Sequence, residues 1–121
     1  MNNKQRPTYS SFKLKPEEIK ELILGMGYCY ASNRITVEGM KVGYMYREIP
    51  ETSTDSGWRF FSGTESQEEI DNPNNLGIYD VNTIANYDAS IIPYLNAEPD
   101  TTFERTDYRD TFKLVDPSRT D

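Results

Sequence analysis

Apolar positions along this chain change their spacing several times, and each change marks an element. Residues 1–13 (MNNKQRPTYSSFK) are polar and unpatterned, which predicts a flexible arm with Tyr9 or Phe12 docking late. From Lys15-Pro16-Glu17-Glu18 onward the spacing turns helical, with Ile19, Leu22 and Ile23 at i, i+3 and i+4. Proline suits a first helical position, where no N–H is needed, and two glutamates favour the positive end of the helix dipole. Gly25 or Gly27 ends this predicted helix.

Beyond Tyr28 the period shortens to two. Residues 28–31 read as a strand that Ser32-Asn33 breaks. Ile35-Thr36-Val37, Glu38-Gly39 and residues 40–49 predict a hairpin closed by Pro50. In its second arm Val42, Tyr44 and Tyr46 alternate with Gly43, Met45 and Arg47, so the two sets take opposite faces. A loop of turn formers, residues 51–57, then leads to residues 58–62, which are apolar on both faces. Trp58 and Phe60 share one side and Phe61 takes the other, the pattern of a central strand. Gly57 allows a positive φ at its start, and Gly63 ends it. Arg59 points with Phe61 and needs a carboxylate, for which Asp55, Glu48 and Glu65 are the candidates.

The remaining third is built of short pieces. Ser66 and Glu69 stand at capping-box spacing, predicting one helical turn, and residues 71–77 form a tight loop. Ile78-Tyr79 reads as a short strand. Asp80 caps a turn holding Ile84, and Asp88 caps a second that carries Ile91, Ile92 and Leu95, which Pro93 keeps short. Residues 102–105 and 111–115 are the last two strands. The expected fold is a single α+β domain over residues 14–115, mainly an antiparallel sheet of about five strands. An N-terminal helix precedes the central strand, short helices follow it, and residues 116–121 are a polar tail.

Composition supports one packed domain. A chain of 121 residues builds one core, and 12% aromatic residues argue against disorder despite 36% hydrophobic content and a mean hydropathy of −0.77. The single cysteine, Cys29, excludes an internal disulfide and any multi-cysteine metal site, and its apolar strand predicts an inert buried thiol. With no signal-like segment or long apolar run, the expected location is the cytoplasm, without membrane attachment.

The complete absence of histidine changes the functional picture most. It removes the commonest general base, the commonest nucleophile-activating pair and the commonest metal ligand. No cofactor or metal is expected; the Asp71–Gly77 loop matches an EF-hand only in part, with Pro73 at the third position and no closing glutamate. Charge is concentrated in the middle: residues 51–100 carry ten acids and one base, a net of −9 within an overall −7. Such a field repels nucleic acid and anionic membranes and attracts basic proteins, although solubility alone also accounts for it. The tyrosines at 28, 30, 44 and 46 lack the interleaved bases of a nucleic-acid sheet, so core and sheet packing explains them better. The residues expected to meet a partner are Asp55, Glu65, Glu68, Glu69, Asp71, Asp80 and Asp88. Gly57, Trp58, Arg59, Phe60, Phe61 and Gly63 are expected to be scaffold.

Three blocks carry a family resemblance: Val42-Gly43-Tyr44-Met45-Tyr46-Arg47-Glu48-x-Pro50, the run DSGWRFFSG from Asp55 to Gly63, and Asn82-Thr83-Ile84 with Asp88-x-Ser90-Ile91-Ile92. Over about residues 25–115 the chain resembles a small bacterial family first catalogued as a domain of unknown function. That family was later grouped with predicted immunity proteins of polymorphic-toxin systems. The resemblance implies a non-enzymatic α+β protein that neutralises a cognate toxin by binding it, and it brings no catalytic motif. The leading expectation is therefore a cytoplasmic immunity protein acting on a toxin, with a basic nuclease as one candidate. The alternatives are a housekeeping adaptor or small-ligand binder with a pocket on a Tyr44, Tyr46 and Trp58 face, and a His-less enzyme using Glu68, Glu69 and Asp71.

Overall fold

A computed structural model describes residues 11–106 and 109–115. Among these the chain forms β1 (Tyr28–Ser32), α1 (Asn33–Thr36), β2 (Tyr44–Arg47), β3 (Asp55–Phe61), α2 (Gln67–Asp71), β4 (Leu76–Asp80), α3 (Val81–Tyr87), β5 (Thr101–Arg105) and β6 (Phe112–Val115). Short 3-10 helices lie at Pro16–Glu18, Pro73–Asn75 and Ala89–Tyr94. The strands make one sheet in the order β4-β1-β3-β2-β5-β6. β1 and β3 run parallel, and every other neighbouring pair is antiparallel. The α+β class with a mostly antiparallel sheet is as expected. Six strands form where about five were expected, and β4 pairs with β1 over five residues where two were read.

β3 is central, and all seven of its residues are buried. The registers place Ala31, Phe60, Met45 and Phe103 in one row on the covered face, with Cys29 and Trp58 beside them. Ile35 of α1, Val81, Ile84 and Ala85 of α3, and Ile91 and Leu95 after it complete that core. Trp58 and Phe60 stack at 5.8 Å, and the indole N–H donates to the Leu95 carbonyl at 3.1 Å. A buried indole needs such an acceptor, so one bond ties the central strand to the helical layer.

The start of β3 was expected to be loop. Instead, turn chemistry is built into the strand as a bulge: Tyr28 faces Asp55, but Tyr30 already faces Arg59. The Asp55 carboxylate accepts the Gly57 N–H at 2.8 Å, and the Ser56 hydroxyl accepts the Trp58 N–H at 3.0 Å while donating to the Tyr28 carbonyl. Gly57 has φ +88°, and a Cβ there would lie 2.2 Å from the Glu48 carbonyl oxygen. Only glycine fits.

Two predicted elements do not form. The N-terminal helix shrinks to one 3-10 turn, leaving Leu22 exposed and Leu24 68% exposed. Side chains of α3 take the place of helical bonds. Asn82 Oδ1 accepts from the Leu22 and Ile23 N–H groups, Asn86 Oδ1 accepts from that of Lys20, and both amide groups donate to the Lys20 carbonyl. The hairpin over residues 35–49 is also absent. Ser32 caps α1 by accepting the Arg34 N–H, which places Ile35 and Thr36 in the core as a helical turn. β2 therefore pairs with β3 and β5 instead.

The shorter signals read correctly. Ser66 and Glu69 exchange the two bonds of a capping box, Asp80 caps α3, and Asp88 caps the Ala89–Tyr94 turn that Pro93 keeps irregular. The predicted tail and most of the predicted arm, including Tyr9, lie outside the described residues.

Candidate functional site

Directly paired residues of neighbouring strands share a face. On the side of the sheet away from the core, one row crosses all six strands: Ile78, Tyr30, Arg59, Tyr46, Thr102 and Val115. The adjacent row holds Phe61, Tyr44, Glu104 and Lys113. The strand residues of the core cluster belong to the other face. Tyr28, Tyr30, Tyr44 and Tyr46 are half-buried, Ile78 is 56% exposed, and Glu104 and Lys113 are exposed. The result is an aromatic sheet face open to a partner.

Arg59 holds the centre of that face and is only 3% exposed. Its guanidinium makes a bidentate pair with Asp55, at 3.0 and 2.9 Å, and donates from Nε to Glu48 at 3.0 Å. It also lies 4.3 Å from the centre of the Tyr30 ring, a cation–π contact. Burial alone would raise the Asp55 carboxyl, but bonds from Arg59 and from the Glu51 and Gly57 N–H groups hold it at about 2. Burial works against the Arg59 charge, and its two carboxylate partners outweigh that and push its pKa up. A cation inside the sheet is thus fully compensated.

The rings around Arg59 are fixed by their neighbours. Tyr46 stacks on Phe61 at 6.1 Å, Tyr44 meets Tyr46 edge-on at 5.9 Å, and Tyr28 meets Tyr30 edge-on at 6.2 Å. The Tyr30 hydroxyl donates to Glu51 at 2.7 Å, the main cause that raises its pKa, and the Tyr28 hydroxyl bonds Thr52. At the edge near Tyr44 the face runs into an open cleft of about 680 Å³. Phe61, Glu65, Ile70 and Glu104 help to line it.

The acids expected to meet a partner separate into two groups. Asp55 and Asp88 are buried, because each answers a guanidinium inside the fold. Asp88 bonds Arg105 and accepts the Val42 N–H at 3.0 Å, so it fastens the helical layer to β5 and to the approach of β2. The others lie nearer the surface. Glu68, Asp71 and Asp80 are exposed, while Glu65 and Glu69 are half-buried. Several of them also have internal duties. Glu69 completes the capping box and pairs with Arg34 at 2.6 Å, Asp71 accepts from Gln67, and Asp80 caps α3.

Trp58 and Phe60 lie in the core, Phe61 and Arg59 on the opposite face, and Gly57 and Gly63 have positive φ. The imagined pocket on Tyr44, Tyr46 and Trp58 does not form, since Trp58 belongs to the other face. An enzyme built on Glu68, Glu69 and Asp71 is also poorly served. Bonds to Ser66 and Arg34 hold Glu69 below the usual carboxylate range, opposite to the shift a general acid needs. Among the described residues no three acidic or cysteine side chains converge as metal ligands. The open tyrosine face is what the sequence reading missed. Its signal was the alternation of Tyr44 and Tyr46 with Met45, but alternation does not say which face is covered.

A family model described as the Immunity protein Imm33 domain matches residues 29–116, which span β1 from its second residue through β6. No curated protein and no solved structure matches the chain.

Proposed function

The chain belongs to the Imm33 immunity protein family, and from that premise we propose that it binds a cognate bacterial toxin and blocks it by covering its working surface. The family match over residues 29–116 carries this reading. The chemistry of the surface supports it: Glu68, Asp71, Asp80, Glu98 and Asp100 are exposed within a segment whose only base, Arg59, is buried. Carboxylates displayed in this way speed encounter with a basic protein and penalise wrong partners. A toxin whose active site accepts a polyanion, as a nuclease's does, is the partner class that this charge suits best. Glu65, Glu68, Glu69, Asp71 and Asp80 are the acids proposed to guide the approach, and the cytoplasm is where such a toxin would be met.

The test is co-expression with the toxin encoded by the neighbouring reading frame. Growth should be rescued by the intact chain, and the two proteins should purify together. Failure of both would reject the proposal.

A further inference from the structure

We infer that the open tyrosine face is the surface that docks onto the toxin, with the cleft beside Tyr44 receiving a lysine or arginine side chain from it. This rests on the immunity reading above and adds where the contact lies.

Three observations favour this face over the acidic segment around α2. The first is the kind of surface it offers. Tyr28, Tyr30, Tyr44 and Tyr46 present half-buried rings on one face of a six-stranded sheet whose other face carries the core. Tyrosine is enriched among the residues that dominate interface energies, since it supplies a large amphipathic area through few rotatable bonds. These rings are already held by Arg59, Phe61 and one another, so little ordering remains to be done on binding. On α2, by contrast, Glu69 is already paired with Arg34 and Asp71 accepts from Gln67.

The second observation is charge. Glu48, Glu51 and Glu104 are exposed around the rings. Arg59 is neutralised by Asp55 and Glu48, and Lys113, opposite Glu104, is the other base in the two rows. An aromatic face with an acidic rim complements a basic protein. It opposes a second copy of the same chain, because a two-fold contact would bring like charges together.

The third is the cleft. Tyr44 and Phe61 give it aromatic walls, and Glu65 and Glu104 give it carboxylates. Burial alone would raise Glu65, but hydrogen bonds led by that from the Ser32 hydroxyl hold it below its ordinary value, so it stays ionised. Arg105 and Lys113 also line the cleft; Arg105 is occupied by Asp88 and Asp110, and Lys113 stands at its β6 side, opposite Glu104. Glu65 also accepts from the Ser62 and Gly63 N–H groups, which fixes its carboxylate in place. Ring faces beside ionised carboxylates are the surroundings that a guanidinium or ammonium group prefers.

The experiment uses the full chain and an inactivated form of the toxin encoded next to it. Affinities of the parent and of Tyr44→Ala, Glu104→Lys and, as a control beside α3 on the other side of the sheet, Glu21→Lys are measured by calorimetry, and hydrogen exchange of the parent is compared with and without toxin. Tyr44→Ala and Glu104→Lys should each weaken binding by about tenfold or more, whereas Glu21→Lys should change it by less than about threefold. The parent should gain protection in β2 and residues 61–65. Unchanged affinity for both cleft variants, with no protection gained in β2 or residues 61–65, would overturn this assignment and leave the immunity reading standing. No complex with the parent would remove both. If sedimentation shows the chain alone as a dimer that Glu104→Lys dissociates, the occupant is a second copy and the assignment fails.

Discussion

Asp55 and Arg59 are four residues apart on one strand, yet they close a bidentate ion pair with bonds of 3.0 and 2.9 Å. In an undistorted strand those positions lie about 13 Å apart. The bulge at Ser56-Gly57 shortens the path, and the long arginine side chain covers the rest. The pair is therefore a product of the DSGWR sequence itself. It carries charge into the middle of the sheet and holds the tyrosines on its open face.

Removing the acid leaves the base stranded. Asp55→Asn should cost about 3–5 kcal/mol, the range for breaking one side of a buried pair. Urea denaturation followed through Trp58 fluorescence measures it. A cost below about 1 kcal/mol would show that Glu48 alone compensates Arg59.

The same pair sets an acid limit on stability. The folded Asp55 pKa, about 2, lies below its ordinary 3.8, so its contribution is complete above pH 4 and is lost as pH falls toward 2. At about 1.4 kcal/mol per unit this amounts to about 2 kcal/mol. Melting temperature measured from pH 5 to pH 2 should fall steeply in that window for the parent and less steeply for Asp55→Asn.

Glycine 57 enforces the bulge. Gly57→Ala puts a Cβ at positive φ and 2.2 Å from the Glu48 carbonyl, so the loss should be about 2 kcal/mol or more. Gly25 also has positive φ but has open space around it, so Gly25→Ala should cost less. Equal losses for the two, by denaturant midpoint, would mean that backbone strain and not contact with Glu48 sets the penalty.

The N-terminal segment depends on α3. Asn82→Ala removes the acceptor of the Leu22 and Ile23 N–H groups and a donor to the Lys20 carbonyl, for a loss of about 1–3 kcal/mol. Hydrogen exchange should quicken at residues 22–23 while β3 stays protected. Equal acceleration in β3 would contradict the view that this segment is held locally.

These cases show which parts of the fold were legible in the sequence. Trp58, Phe60 and Phe61 announced a strand buried on both faces, because large apolar rings fall on both sides of the chain there. The Ser66–Glu69 box and the Asp80 and Asp88 caps were readable because capping is local. Cys29 was readable as an inert thiol too: burial raises its pKa, away from the reactive thiolate. The apolar stripe of Ile19, Leu22 and Ile23 misled because its backbone partners, Asn82 and Asn86, lie more than fifty residues away. Ile35-Thr36 misled because the Ser32 cap outweighed β propensity. The tyrosine face stayed hidden for a different reason. Periodicity groups Tyr44 with Tyr46, but the side they take depends on where α1 and α3 pack, and that is a property of the whole chain.

Toxin binding through a basic–acidic contact is tested most directly by titrating the purified chain with an inactivated form of the toxin at low and high salt. A one-to-one complex should form whose association slows as salt rises, because screening weakens charge steering. Absence of a complex at micromolar concentration would rule out toxin binding, and binding with no salt dependence would rule out the electrostatic contact.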